Sequence, residues 1–222
     1  MKLLALDTST DVCSVALMMG SKMRERDISG MRHAESILPS VQALLAEGGI
    51  TLGKLDAIAF GRGPGSFTSL RIGAAVVQGL AFGAGIPVLP VSSLAALAQS
   101  TDAQRVLAAL DARMGQVYTA SFLRGEDGLM RPFGAEMVCA PNDVPLPDGM
   151  DWTGAGSGWD QFSDLLGQRL GNRLKDWLPG VYPRARGVAA LATPSLAAGE
   201  ALAPEQALPV YVRDDVARKA GR

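Results

Sequence analysis

The sequence predicts an α/β protein built from two similar lobes, and three observations carry this prediction. Apolar residues make up 48% of the 222-residue chain and charged residues only 19%, so there is ample material for packed cores. Each half of the chain opens with short strand-like segments joined by polar turns. Each half then continues with helical segments, so the same order of elements occurs twice without clear sequence repetition.

The first half begins with a predicted β-meander and continues with alternating helices and strands. The helix after the meander carries Ile37, Leu38, Val41, Leu44 and Leu45 on one face, and Gly48-Gly49 ends it. The predicted elements are strands at 2–8, 12–19 and 23–28, a helix over 33–47, a strand at 55–60, a helix over 67–83, a strand at 87–91 and a further helix.

The second half repeats this order more loosely. Its predicted elements are strands at 106–110, 116–123 and 151–153, helices over 159–170 and 187–198, a strand-like tail at 209–213 and a helical turn at 214–219. We therefore assign one lobe to 1–102 and a second lobe to 103–207. The tail, about 208–222, is expected to pack back on the first lobe.

Charge and cysteine content exclude several classes of protein. A protein that binds nucleic acid by itself usually has an excess of basic residues, and the net charge of −1 and pI of about 5.9 show no such excess here. The two cysteines, Cys13 and Cys139, are far apart in the sequence and do not have the pattern of a disulfide-rich protein. This cysteine content is consistent with a reducing compartment. No charge occurs between Arg71 and Asp102, but glycines and prolines at 83–90 break this run. We therefore predict a buried helix there and no membrane span.

The single histidine of the chain restricts the chemistry. His33 has no second histidine with which to form a paired metal site of the H-E-x-x-H kind. A serine triad would have to use the same His33, and the loop ending in Ser66 lacks the second glycine of a nucleophile elbow. We predict no catalytic residue and place His33 at a helix entry or an interface.

Two turns have the composition of ligand-binding loops. The loop 61–68 is rich in glycine and lies between a strand and a helix, where backbone N–H groups can receive an anion, but it lacks the lysine of a Walker A loop. A tight turn with Ser66 as the helix N-cap explains the same residues. Arg62 and Arg71 on either side favour a functional loop. Likewise, Asp7 with the hydroxyls that follow it fits either a phosphate or Mg²⁺ turn or an ordinary β-turn.

Taken together, these residues resemble the TsaB (YeaZ) family of bacterial tRNA threonylcarbamoyladenosine synthesis. The matching segments follow one another along nearly the whole chain: 4–10, 13–17, His33 with 37–39, 59–68 with 70–73, 91–94, 110–114, 117–118, 182–185 and 209–213. One departure is Ser69, where the family usually has glycine.

The resemblance implies an actin/Hsp70-like ATPase fold, with two lobes that each contain a mixed sheet and flanking helices. It implies a non-catalytic subunit that binds the catalytic paralogue TsaD, is joined by the ATPase TsaE, and meets tRNA only through the complex. Alone, the chain is expected to form a homodimer in the cytoplasm. Ser9 stands where a glycine is usual, and the turn at Asp111 is not glycine-rich. The chain should thus have no cofactor of its own, with ATP or ADP bound only in the assembled complex. The alternative is a glycoprotease-like hydrolase or an ATP-binding module.

Two sets of residues follow as candidates. The partner interface is expected on the first-lobe helices, at His33, Ile37, Val41, Leu45, Leu70, Gly73, Ala74, Val77 and Leu80. The candidate ligand loops contain Asp7, Thr8, Arg62, Gly63, Gly65, Ser66, Arg71, Asp111 and Arg113.

The purified chain is expected to hold no stoichiometric zinc or iron and to cleave no peptides, because one histidine cannot furnish a paired-histidine site. Metal analysis and a peptidase assay of the purified protein measure this. Stoichiometric metal that is lost in a His33→Ala variant would contradict the prediction.

Overall fold

The computed structural model describes residues 1–29 and 33–212, apart from the side chains of Ser29, His33 and Ala34. The predicted helical turn at 214–219 and the last residue of the predicted strand at 209–213 lie outside the described residues.

The first half of the chain folds around a five-stranded sheet in the order β3-β2-β1-β4-β5. β1 to β3 form an antiparallel meander, and β4 and β5 extend it in parallel with β1. The elements are β1 (Lys2–Asp7), β2 (Val12–Met19), β3 (Lys22–Ser29), α1 (His33–Gly48), β4 (Ala57–Gly61), α2 (Phe67–Ala84), β5 (Val88–Val91) and α3 (Ser93–Gln99).

The second half forms a six-stranded sheet in the order β11-β10-β6-β7-β8, with β9 also paired to β7. Its elements are β6 (Arg105–Asp111), β7 (Val117–Arg124), β8 (Met130–Pro132), β9 (Met137–Cys139), β10 (Trp152–Ala155), α4 (Ser157–Leu170), β11 (Leu174–Leu178) and α5 (Ala185–Ala197). In both sheets the first strand of the half is central, with the meander on one side and the parallel strands on the other. This repeated order is the two-lobed actin/Hsp70-like architecture, so the predicted fold class is confirmed.

Successive side chains of β1 point to opposite faces of the first sheet, and each face contributes to a separate hydrophobic core. Leu4 and Leu6 point to a core shared with α1 and α2. Leu3 and Ala5 point to the opposite face and pack against small residues of α5. Both faces of the sheet are therefore covered by helices, which explains why β1 and β4 are apolar almost without interruption.

At the junction of the two lobes, one helix from each half of the chain packs on the sheet of the other half. α5 lies in the predicted second lobe (103–207) by chain position, yet Val188 and Ala189 pack in the core of the first sheet. α3 precedes the predicted boundary at 102, yet Leu94 and Leu97 belong to the core of the second sheet. The two helices also meet, since a Cβ at Gly187 would lie 2.8 Å from the carbonyl oxygen of Ala96. The helices therefore tie each sheet to the other half of the chain.

Several local predictions differ from the structure. The sequence patterns do not predict the strands β8, β9 and β11, and the segment 209–212 forms no strand. Pro209 has no backbone N–H to give to a sheet. The next residue, Val210, donates its N–H to the carbonyl oxygen of Arg62 at 2.8 Å. The tail is thereby attached to the loop after β4.

One described helix, α2, has the length and hydropathy of a membrane span. One side of α2 is nevertheless buried in the first lobe through Leu70, Ala74, Val77 and Ala81. Such a stripe is typical of a helix that packs on a core.

Replacing Ala189 in α5 by leucine should destabilise the protein by about 1–3 kcal/mol, because the residue is fully buried and the added methyl groups overfill the space above the first sheet. The same change at exposed Ala197, near the end of the same helix, should alter stability by less than about 0.5 kcal/mol. Urea unfolding of both variants measures the difference, and equal effects would contradict the packing described for α5.

Candidate functional site

The two lobes face each other across a cleft of about 670 Å³. On the first-lobe side its wall contains the turn after β1 and the start of α2. On the second-lobe side it contains the turn after β6 and the start of α4. The carboxyl ends of parallel strands meet here, which is where open α/β sheets commonly place ligands.

Asp7 ends β1 and is buried behind the cleft wall. Its carboxylate accepts hydrogen bonds from the N–H of Ser9 at 2.9 Å, the Oγ of Ser9 at 2.6 Å and the Oγ of Ser93 at 3.0 Å. A Cβ at Gly61 would lie 1.9 Å from its Oδ2. Burial raises the pKa of the Asp7 carboxyl, and the three hydrogen bonds oppose this rise. In this structure the oxygens of Asp7 bind the protein itself, and its role as a ligand residue stays a prediction.

Thr8 fastens the first turn to α2. Its Oγ1 donates to the carbonyl oxygen of Ser69 at 2.8 Å. A Cβ at Gly73, one turn along the helix, would lie 2.3 Å from this Oγ1, so only glycine fits there. The departure from the family pattern at Ser69 leaves this bond intact, because the bond uses the backbone. Thr8 thus acts in packing, and it does not line the cleft.

The glycine-rich loop closes tightly on the first turn. The N–H of Ser66 donates to the carbonyl oxygen of Ser9 at 2.7 Å, and a Cβ at Gly65 would lie 2.3 Å from that oxygen. Gly63 has φ of 104°, which favours glycine. Ser66 stands at the N-cap of α2 as predicted, but its Oγ donates to the Oγ of Ser69 and makes no cap bond. These contacts give the loop a structural role, and a ligand role for Gly65 and Ser66, which line the cleft, stays a prediction.

The two flanking arginines bind other parts of the chain. Arg62 forms an ion pair with Glu136 of the second lobe at 3.2 Å. The guanidinium of Arg71 lies 3.7 Å from the centre of the Phe67 ring and donates to the hydroxyl of Tyr211 at 3.0 Å. Neither arginine lines the cleft. In this structure both side chains connect segments of the chain, and their role beside a ligand stays a prediction.

On the opposite wall, Asp111 and Arg113 line the cleft, and their role in binding a ligand stays a prediction. The carboxylate of Asp111 accepts from the N–H of Arg113 at 2.8 Å and pairs with its Nη1 at 3.1 Å. Sequence reasoning did not place six other residues of the wall in a site, and each carries an aromatic ring or a carboxylate: Asp11, Phe67, Tyr118, Asp160, Tyr182 and Tyr211. They are spread along the chain, so no local motif marks them as one site.

The predicted partner residues divide by burial. Six are buried within the first lobe and cannot reach a partner without local unfolding: Ile37, Val41, Leu70, Gly73, Ala74 and Val77. For these six residues the apolar stripe of each helix faces its own sheet in this structure, and their part in an interface stays a prediction. Leu45 and Leu80 are half-buried, and the His33 side chain lies outside the described residues.

The exposed side of α2 contains a different set of residues. Ala75, Gly79 and Phe82 follow one another at helical spacing, and the Phe82 side chain is 79% exposed. Leu38 on the neighbouring helix α1 is 44% exposed. Within the described residues, no group of three or more His, Cys, Asp or Glu side chains could hold a metal ion.

A family model, two relatives and a solved structure each match most of the chain. Residues 27–217 match the family model of TsaD, tRNA N6-adenosine threonylcarbamoyltransferase. The chain is 40% identical to the tRNA threonylcarbamoyladenosine biosynthesis protein TsaB of Escherichia coli, over 99% of this chain and 97% of that protein. It is 42% identical to the TsaB protein of Haemophilus influenzae, over 76% and 77%. The solved structure of YeaZ from Pseudomonas aeruginosa superposes with a TM-score of 0.88 at 45% identity, over 95% of this chain and 99% of that one.

Replacing Asp7 by asparagine should change how stability depends on pH. The pKa of Asp7 is raised in the folded state, so its protonated form is favoured there, and the wild-type free energy of unfolding falls as pH rises from the ordinary aspartate range to that raised pKa. The asparagine side chain cannot ionise, so relative to wild type the Asp7→Asn variant should gain stability over the same rise in pH. Urea unfolding of both proteins from the ordinary aspartate range to neutrality measures the difference, and two parallel curves would contradict the raised pKa.

Proposed function

We propose, since the chain belongs to the TsaB (YeaZ) family of tRNA threonylcarbamoyladenosine biosynthesis proteins, that it is a non-catalytic scaffold that binds and activates the catalytic subunit TsaD. TsaD would then transfer the threonylcarbamoyl group to the adenosine beside the anticodon. The chain itself supplies a surface and no reacting group.

The observation that carries this proposal is the exposed side of α2. Phe82 is a large aromatic side chain at 79% exposure, and exposed aromatic residues are typical anchors of protein interfaces. The small residues Ala75 and Gly79 precede it on the same side, so a partner helix can approach closely there. Leu38 of α1 extends the apolar surface, and α1 and α2 contact each other.

The small number of histidine and metal-ligand side chains supports a scaffold over a hydrolase. The chain has one histidine, and the described residues contain no metal-binding group. We propose that the chain alone takes no cofactor, and that ATP or ADP binds only in the assembled complex with the ATPase subunit TsaE. The net charge of −1 supports contact with tRNA through the complex and not by this chain alone. By itself, in the cytoplasm, the chain would form a homodimer that covers the same side of α2.

The decisive experiment is a pull-down with the full chain as bait for TsaD, followed by reconstitution of tRNA modification with and without the chain. Binding together with a requirement for the chain supports the proposal. Modification at full rate by TsaD and TsaE without the chain would overturn it.

Replacing Phe82 by glutamate should weaken TsaD binding at least about tenfold, because burying an unpaired charge in an interface costs several kcal/mol. The folded monomer should keep its stability, since the side chain is largely exposed. Leu165 of α4, which is 36% exposed on the second lobe, provides the matched control, and Leu165→Glu should bind TsaD normally. Surface plasmon resonance with TsaD measures both. Equal affinities of the two variants would place the interface elsewhere.

A further inference from the structure

Arg71 stands on the exposed side of α2, about three turns before Phe82. It is the only charged residue of this helix. The surface proposed for a partner therefore carries one positive charge, at the end of α2 that lies beside the cleft.

Contacts with two aromatic rings hold the guanidinium of Arg71 in one orientation. It lies 3.7 Å from the centre of the Phe67 ring, and its Nε donates to the hydroxyl of Tyr211 at 3.0 Å. The two rings are 5.2 Å apart. Tyr211 is held in turn because the N–H of Val210 donates to the carbonyl oxygen of Arg62 at 2.8 Å. The arginine side chain is thus already ordered before a partner binds, which lowers the entropy cost of using it.

The Nη groups of Arg71 remain available for a partner. Of its five N–H donors, only the one on Nε forms a hydrogen bond with a described residue, and no described carboxylate pairs with it. The two Nη groups form a fork that matches the two oxygens of a carboxylate. This arrangement favours a partner that brings a carboxylate to the first turns of α2.

A suitable carboxylate lies on the neighbouring helix of the same surface. The acidic residues of α1 are Glu35 and Glu47, and Glu47 is paired with Arg26 of β3. Glu35 is exposed and forms no ion pair with a described residue. Because β3 and β4 both end at the cleft edge of the sheet, α1 and α2 begin at the same end. Glu35 and Arg71 therefore lie at about the same level.

Two-fold symmetry brings these charges together in one arrangement of two copies. With the axis parallel to the helices, α1 of one copy lies opposite α2 of the other, and each Arg71 faces Glu35 of the second copy. With the axis across the helices, each helix lies antiparallel to its own copy, and Arg71 faces the far end of α2. Only the first arrangement compensates both charges.

We propose that Arg71, held by Phe67 and Tyr211, is the recognition residue for a second copy of this chain, and that two Arg71–Glu35 ion pairs orient the dimer with its axis parallel to α2. The proposal rests on the proposed function, since it takes the exposed side of α2 as the surface shared by TsaD and a second copy. It also gives the tail at Val210 and Tyr211 a role in assembly.

The test reverses the charge on each side of the pair and measures the dimer dissociation constant of the full chain by analytical ultracentrifugation. Arg71→Glu and Glu35→Arg should each weaken the dimer at least about tenfold, because like charges replace both ion pairs. The double variant restores opposite charges and should dimerise within about threefold of wild type. Lys175→Glu, at an exposed position of β11 in the second lobe, is the matched control and should dimerise like wild type.

Replacing Tyr211 by phenylalanine tests the positioning role of the tail. The change removes the hydroxyl that accepts from Arg71 and keeps the ring. The dimer should weaken by about twofold to fivefold, but the same change should have no effect in an Arg71→Ala background. Equal weakening in both backgrounds would show that Tyr211 does not act through Arg71.

Three results would each overturn the proposal. One is a chain that stays monomeric at submillimolar concentration, and another is wild-type dimerisation of the folded Arg71→Glu and Glu35→Arg proteins. The third is a double variant that dimerises no better than the single variants. TsaD binding to the same proteins separates the two proposals. If Phe82→Glu loses TsaD while both charge variants dimerise normally, only the ion-pair proposal fails; if the double variant restores the dimer but wild type does not bind TsaD, only the scaffold proposal fails.

Discussion

The buried carboxylate of Asp7 is the constraint around which the first lobe and the cleft wall are arranged. Its partners lie on the turn after β1 and at the start of α3, so one group joins the end of the central strand to a helix that packs on the other sheet. A buried carboxylate needs several donors, and it excludes any side chain at Gly61. The end of β1 therefore becomes a closed polar cluster behind the wall of the cleft.

The position of α2 follows from the same turn. Thr8 binds the backbone of Ser69, and Gly73 lets the helix lie directly on the Thr8 side chain. With this side held against the first lobe, the opposite side with Phe82 is presented outward. An apolar helix that is anchored on one side only leaves apolar surface for a partner, which is why the proposed interface contains different residues from those that the sequence suggested.

Sequence patterns predicted the meanders, the main helices and the loop after β4, because long alternating or helical periods are strong signals. β8 and β9 were not predicted because three residues are too few to show a period. β11 was not predicted because its apolar residues, Leu174, Trp177 and Leu178, do not alternate with its polar ones. The apolar residues of α2 surround the helix, so periodicity alone did not decide which side faced the sheet. The cleft tyrosines were missed because the fold, and not the sequence, brings 118, 182 and 211 together.

The exchange of α3 and α5 makes the two lobes one mechanical unit. Each helix packs on the sheet of the other half, and the Arg62–Glu136 ion pair adds a further link beside them. α2 begins in the cleft wall at Phe67 and carries Phe82 near its far end, some four turns away. The cleft wall and the exposed aromatic side chain of Phe82 thus belong to the same packed helix. Because a core at crystal-like density does not deform smoothly, the cleft wall and the exposed side of α2 are held in a fixed geometry relative to each other.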